Sequence, residues 1–257
     1  MLRERRVGNR SKGESRFVVA YARTMEEVRE AQRLRHAVFA GEMGARLAGP
    51  EPGVDEDRFD ELCDHLLVRD AASGEVVGTY RILAPSAARE AGGCYSSQEF
   101  DLARLEHLLP RSVELGRSCV HPDHRSGAVI SLLWSGLADY IARGRYEYLI
   151  GCASISLADG GGSAAAICRE VAARHLAPLE YRVFPRCPLP IADLQAGARG
   201  AVPPLVKGYL HVGAWVGGEP AWDPDFNTAD LFILMPLARA NPRYLRHYLG
   251  TGHALAR

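Results

Sequence analysis

The stretch VELGRSCVHPDHRSGAVISLLWSGLADYIARG, residues 113–144, constrains the fold of this chain more than any other. An apolar run carrying Glu114 and Arg117 turns at a His-Pro pair and passes into a long segment. There Ile130, Leu133, Trp134, Leu137, Tyr140 and Ile141 recur at i, i+3, i+4, i+7 spacing. That spacing predicts a helix over 127–143 with one face packed on a sheet. A strand that runs straight into a helix leaves the first helical N–H groups without partners, and the positive end of the helix dipole there favours an anion. Arg125, Ser126, Gly127 and Ala128 are what this turn offers a phosphate. The other reading is a tight strand-to-helix turn that needs Gly127 for geometry alone.

The segments around this unit read as alternating strands and helices. FVVAYAR (17–23) is a strand. The next segment begins with Thr24 as N-cap and Glu27 three residues on, a capping-box pattern, and Val28, Ala31, Leu34 and Val38 follow at helical spacing up to Gly41 or Gly44. HLLVRDAASGEVVGTYRILAP has two apolar runs about an Ala-Ser-Gly turn, the form of a hairpin. FDLARLEHLLP is expected to be a short helix, YEYLIGCAS a buried and possibly parallel strand, and GSAAAICREVAARHL a second long helix. Residues 176–207 read as irregular, GYLHVGAWV and ADLFILMPL as strands, and NPRYLRHYL as a final short helix. This order fits an α/β (α+β) domain with a mixed, mostly antiparallel sheet flanked by helices.

Composition bounds the rest. Lys plus Arg number 31 and Asp plus Glu 31, so net charge points to no partner and gives no ground for nucleic-acid binding. Residues 1–16 are nonetheless basic, with Arg3, Arg5, Arg6, Arg10, Lys12 and Arg16 against Glu4 and Glu14. Such an arm is solvated, or holds an acidic protein or an anionic membrane surface. The first 25 residues lack the apolar core of a secretory signal, and the longest uncharged run, 126–138, is too short to span a bilayer. Six cysteines without CxxC pairing read as buried thiols in a reducing compartment. The expectation is a cytoplasmic protein, with at most a peripheral visit to the inner face of the membrane.

Several chemistries fall away. There is no GxSxG and no HExxH, and His121 with His124 lacks the ligand set of a zinc site, so no metal is expected. His65 and Asp70 match an H-x4-D pattern, but on a strand an offset of five puts them on opposite faces. DGGGSAAAICRE (159–170) lacks the lysine of a P-loop and the spacing of a dinucleotide fingerprint, and reads as a helix-capping loop. Glu114 and Arg117 also lie on opposite faces of a regular strand. A β-bulge at Leu-Gly-Arg, made cheap by Gly116, would bring them together. A buried ion pair within the sheet is the structural reading of the same residues.

Taken together, these residues resemble a known superfamily. The strand–HPDHRSGAVI–helix unit resembles motif A of the GNAT acyltransferases, in which the helix N-terminus binds pyrophosphate. The usual R/Q-x-x-G-x-G/A keeps its Arg125 here, with Ala128 and Ile130 in place of the glycines. That substitution suits a carrier-protein phosphopantetheine, with its single phosphate, over coenzyme A. LRHAVFAGEMG, DRFD, GTYRIL and ELGR follow in the order seen in acyl-homoserine-lactone synthases, although Ala45 and Arg46 stand where those have a tryptophan. ELGRSCVHPDHRSGAVISLLW, YLIGCAS, PPLVKGYLHVGAWV and DPDFNTADLFILMPL look like the L-ornithine Nα-acyltransferases of ornithine-lipid biosynthesis.

That resemblance implies a GNAT-like N-acyltransferase domain over 17–250, after a basic arm at 1–16 and before a tail at 251–257. It implies transfer of a (3-hydroxy)acyl chain from acyl carrier protein to the α-amine of ornithine, with no tightly bound cofactor. Glu114 and Arg117 would be catalytic. Arg35, Phe39, Asp57, Asp60 and Arg81 would form a supporting network, one of the aspartates meeting ornithine's distal ammonium. Val120, Arg125, Ser126, Gly127 and Ala128 would bind the donor phosphopantetheine. The alternatives are the same fold acting on glycine or another amino acid, a homoserine-lactone route, and a non-catalytic sensor that binds acyl carrier protein or acyl chains.

Overall fold

Local signals in the chain account for most element boundaries. The computed structural model describes residues 15–49, 51–194 and 200–240. The basic arm up to residue 14, the expected final helix NPRYLRHYL and the 251–257 tail lie outside these residues. In chain order the strands and helices are β1 (Phe17–Tyr21), α1 (Met25–His36), β2 (Asp64–Asp70), β3 (Val76–Leu83), α2 (Pro85–Glu90), β4 (Phe100–Asp101), β5 (Ser112–Val120) and α3 (Ala128–Gly144). β6 (Tyr148–Ser156), α4 (Gly162–His175), β7 (Phe184–Pro185), α5 (Pro204–Val212), β8 (Trp215–Val216), β9 (Ala221–Asp223) and β10 (Thr228–Pro236) complete them. The chain forms two compact units, whose described parts are residues 15–83 with 115–145, and 84–114 with 146–240.

In the first unit β1, β2 and β3 are antiparallel neighbours, and the later part of β5 follows β3 in the strand order. Thr24 caps α1 as its pattern predicts. Its Oγ1 accepts from the Glu27 N–H at 3.3 Å, and Glu27 Oε2 reaches back to the Arg23 N–H at 2.6 Å. The helix continues as one π-helical turn, Ala37–Glu42, and Gly44, at φ +75°, marks its end. α3 packs on β1, β2 and β3 through a stripe of Val129, Leu133, Leu137 and Ile141, all buried. Close approach depends on two missing side chains. A Cβ on Gly78 would lie 2.4 Å from Val129 Cγ1, and one on Gly136 would lie 2.9 Å from both Leu66 methyls.

In the second unit the start of β5 pairs in parallel with β6, at Ser112↔Tyr148, Val113↔Leu149 and Glu114↔Ile150. β6 pairs antiparallel with β10 over nine residues, and β10 takes β8 and β9 on its other side. Every residue of β10 is buried, as the continuous apolar run Leu231–Met235 requires. The parallel β6 and the helix α4 match expectation. The loop before α4 is indeed a cap: the Asp159 carboxylate accepts from the N–H groups of Gly161 and Ser163, each at 3.0 Å.

Two expectations fail. FDLARLEHLLP is not an α-helix but the short strand β4 followed by two 3-10 turns, Ala103–Leu105 and Leu109–Arg111. Leu102, Leu105 and Leu108 repeat every three residues, a spacing that a 3-10 turn satisfies as well as an α-helix does. GYLHVGAWV is mostly helix: α5 runs to Val212, and only Trp215–Val216 is strand. Helix α2 lies in a segment for which no helix was expected.

Candidate active site

β5 positions the two central residues. Glu114 is 4% exposed, and its carboxylate is held by three donors from the 3-10 turn Tyr95–Gln98. The Tyr95 N–H reaches Oε2 at 2.6 Å, the Ser96 N–H reaches Oε1 at 2.7 Å, and the Ser96 hydroxyl also donates to Oε1. Cys152 of β6 contacts that hydroxyl, Sγ to Oγ 3.4 Å. Three residues further along β5, Arg117 sits at φ +49°, in the left-handed region. The expected break in strand regularity therefore falls on the arginine and not on Gly116. A non-glycine residue holds such a backbone only where its surroundings fix it. Here Asp55 and Asp57 do so, at 3.1 and 3.3 Å from the guanidinium.

Arg117 belongs to a buried charge network in the first unit. Arg35, fully buried on α1, makes a two-pronged bond to Asp60, at 2.8 and 2.9 Å, and its Nε lies 2.7 Å from Asp55. Its other contact is to the Asp55 carbonyl. Arg81 of β3 reaches Asp57 at 2.7 Å and Asp60 at 3.4 Å. Three guanidiniums thus meet three carboxylates. Burial alone pushes the Asp60 carboxyl up, but Arg35 and then Arg81 outweigh it and hold Asp60 well below the usual carboxylate range. Phe39, buried in the π-helical turn, is on the same α1 continuation as Arg35. Asp55 is the member that sequence reasoning missed; it lies in the VDEDRFD stretch two residues before Asp57. His65 bonds the Asp60 carbonyl and Asp70 pairs with Arg16, so the H-x4-D pair has no joint function.

The turn into α3 has the expected form. Gly127, at φ +89°, is the N-cap, and no side chain caps the helix there. Ser126 and Ala128 flank it, both exposed. Arg125 donates to the Val120 carbonyl at 3.1 Å and grips Glu42 with two 2.6 Å bonds.

A third group was not foreseen. Glu99, Asp223 of β9 and Asp230 of β10 bring carboxyl oxygens within 4.8 Å of one another. Among the described residues no arginine, lysine or histidine pairs with any of them. Burial, and then Asp230 beside it, pushes Glu99 well above the usual carboxylate range, and Asp230 is also raised by burial. No local motif could have revealed this group, because residue 99 and residues 223–230 meet only through the fold.

The chain as a whole falls within a known class. Residues 34–135 match the family described as Acetyltransferase (GNAT) domain. The structure of the AHL synthase LasI superposes with a TM-score of 0.53 at 14% identity, covering 94% of this chain and 98% of that one. The fold is that of a GNAT acyltransferase. Two curated relatives are more specific: the L-ornithine N(alpha)-acyltransferase of Brucella abortus (strain 2308), 38% identical over 90% of this chain and 88% of its own length, and that of Rhodobacter capsulatus, 38% identical over 90% and 94%. The chain belongs to the L-ornithine N(alpha)-acyltransferase family. No described helix is long and apolar enough to cross a membrane.

Proposed function

We propose that this acyltransferase transfers an acyl chain from a thioester to the α-amine of L-ornithine, the first step of ornithine-lipid synthesis. The observation that carries the reading is sequence identity of 36–38% to four L-ornithine N(alpha)-acyltransferases over 88–90% of the chain. The donor in this reading is a (3-hydroxy)acyl group on the phosphopantetheine of acyl carrier protein. In support, the uncapped start of α3 has free N–H groups for one phosphate, with Arg125 beside it. Exposed Arg143 and Arg145 at the other end of α3 would suit an acidic carrier, with the basic arm left for anionic membrane lipid.

An α-amine has a pKa of about 8 and must lose a proton before it attacks. Glu114 takes that proton, directly or through a water. Its three donors keep the carboxylate fixed. The amine nitrogen bonds to the thioester carbonyl carbon. Backbone N–H groups of 115–119, turned by the left-handed Arg117, stabilise the oxyanion, after which the C–S bond breaks and the pantetheine sulfur takes a proton. Arg117, engaged by Asp55 and Asp57, acts as a positioning residue. Transfer is direct, because burial pushes the Cys119 thiol up to about 12 and the Cys152 thiol well above its ordinary value.

The test is mass spectrometry after incubation with 3-hydroxyacyl carrier protein and an equimolar pool of ornithine, lysine, glycine and glutamine. The expected product is N-acyl-ornithine, abolished in Glu114→Gln with donor binding intact. A different acylated amino acid would overturn the acceptor. Donor binding with no product from any acceptor would leave a sensor.

A further inference from the structure

We infer that Ser96 is a positioning residue for acyl transfer: with its N–H and its hydroxyl it fixes the plane of the Glu114 carboxylate, and Cys152 fixes the hydroxyl in turn. This inference rests on the proposed function, for it concerns the residue behind the base named there. Ser96, Glu114 and Cys152 all belong to the second unit.

The turn that carries Ser96 is held rigidly. The first N–H groups of the 3-10 turn Tyr95–Gln98 cannot bond within it, and Cys94 at its N-cap supplies no side-chain bond. Glu114 fills that role from β5, accepting the Tyr95 and Ser96 N–H groups at 2.6 and 2.7 Å. The far end of the turn is tied down as well. Arg186 donates from Nε to the Ser97 carbonyl at 2.8 Å, and from its backbone N–H to the Glu99 carbonyl at 2.7 Å. The donors that meet Glu114 are therefore set in place before any substrate arrives.

Two N–H groups would suffice to cap the turn. The hydroxyl is a further donor, and its setting gives it a direction. Ser96 is 0% exposed, so water does not compete for it. Its oxygen accepts from the Cys152 thiol, Sγ to Oγ 3.4 Å, and its own proton goes to Oε1 of Glu114. A carboxyl this deeply buried needs donors to stay ionised, and only the ionised form can take a proton from the amine. The amine must also meet that carboxylate while its lone pair points at the thioester carbon. A misplacement of about 1 Å in such a geometry costs about 100-fold in rate.

The titratable groups around this contact are Cys94 beside the turn, Cys152 on β6 and Glu99 beyond Cys152. Burial pushes all three up, so each keeps its proton through the acid range. A change on the acid side of the pH profile when Ser96 is altered therefore reports on Glu114.

The experiment measures kcat, KM and the pH dependence of kcat for full-length wild type, Ser96→Ala and Ser96→Thr, using the amino acid that the wild type acylates. Ser96→Ala is expected to lower kcat by about 10- to 100-fold while KM for each substrate stays within about threefold. Its acid limb should move about one pH unit towards alkaline pH, because the ionised carboxylate has lost a donor. Ser96→Thr, which keeps the hydroxyl, should recover most of kcat and return the limb. Thermal unfolding checks that the variants are folded. Should Ser96→Ala not fold, Cys152→Ala reads the same hydroxyl without touching the turn, with an expected fall of about threefold in kcat. A folded Ser96→Ala with unchanged kcat would overturn the inference, as would a lowered kcat on an unmoved acid limb, the mark of a packing role alone. So would an unchanged kcat in Cys152→Ala where that variant is the one read. Failure of the wild type to acylate any amino acid, or full turnover by Glu114→Gln, would instead defeat the proposed function.

Discussion

Two buried groups of carboxylates in this protein have opposite character. In the first unit Asp55, Asp57 and Asp60 are matched one for one by Arg35, Arg81 and Arg117. In the second unit Glu99 and Asp230 are hydrogen-bonded to each other, and Asp223 and Asp230 also accept from neutral donors. The first group is complete as folded. It cross-links the end of α1, the acidic loop, β3 and the bend in β5, and it holds Arg117 in an otherwise unfavourable backbone conformation. The second has no cationic side chain paired with it among the described residues, and burial raises Glu99 and Asp230 instead. What burial does to a carboxylate is decided by the balance of charge around it.

The largest effect should come from breaking the matched group. Arg35→Ala leaves Asp55 and Asp60 buried with too little positive charge, and removal of one member of a buried ion pair costs about 3–5 kcal/mol. Urea unfolding should report a loss of that size, with the midpoint lowered and the slope unchanged. A loss below about 1 kcal/mol would mean that water or rearrangement compensates, and the network could not then be what fixes Arg117.

The two groups should also respond to pH in opposite senses. Asp60 is held below its unfolded value, so its contribution to stability is present above about pH 4 and is lost as pH falls through the folded value. Glu99 is raised: folded protein keeps a proton that the unfolded chain gives up above about pH 4, so its contribution is present below that point and declines as pH rises. Glu99→Gln should therefore flatten the fall in melting temperature between mildly acidic and alkaline pH. At neutral pH it should stabilise the unliganded protein by about 1 kcal/mol. Destabilisation by the same substitution would show that the hydrogen bonds of Glu99 to Asp230 and Cys152 outweigh the cost of burying the acid.

The sequence discloses these groups unequally. Arg35, Asp57, Asp60, Arg81, Glu114 and Arg117 lie in short motifs whose order resembles that of the acyl-homoserine-lactone synthases, and it is that resemblance that groups them, whereas the strand–turn–helix unit is legible from periodicity within one segment. Asp55 was within reach of the same motif. The acid group was not, because Glu99 follows a 3-10 turn and its partners come from β9 and β10, far along the chain. α5 was missed for another reason. Its C-terminal half, GYLHV, alternates like a strand, while the signs of its true state lie at the helix boundaries: Pro204 in the first turn and Gly213, at φ +109°, just past the last residue. Segment ends should have outweighed a short alternation.

The smallest stability effect belongs to an ion pair of a third kind. Arg125 and Glu42 make two bonds of 2.6 Å, shorter than most pairs in the matched network, but both side chains are more than 40% exposed. Exposed pairs are worth about 0–1 kcal/mol, since water and salt screen them and two long side chains must be ordered. Arg125→Ala should leave the melting temperature almost unchanged, and yet raise the KM for acyl carrier protein several-fold if the guanidinium leaves Glu42 to meet the donor's phosphate. Glu42→Gln separates the possibilities, because it frees Arg125 without removing it. It should lower that KM or leave it unaltered. A rise in KM with both substitutions would mean that the pair itself shapes the turn into α3, and that Arg125 never leaves its carboxylate.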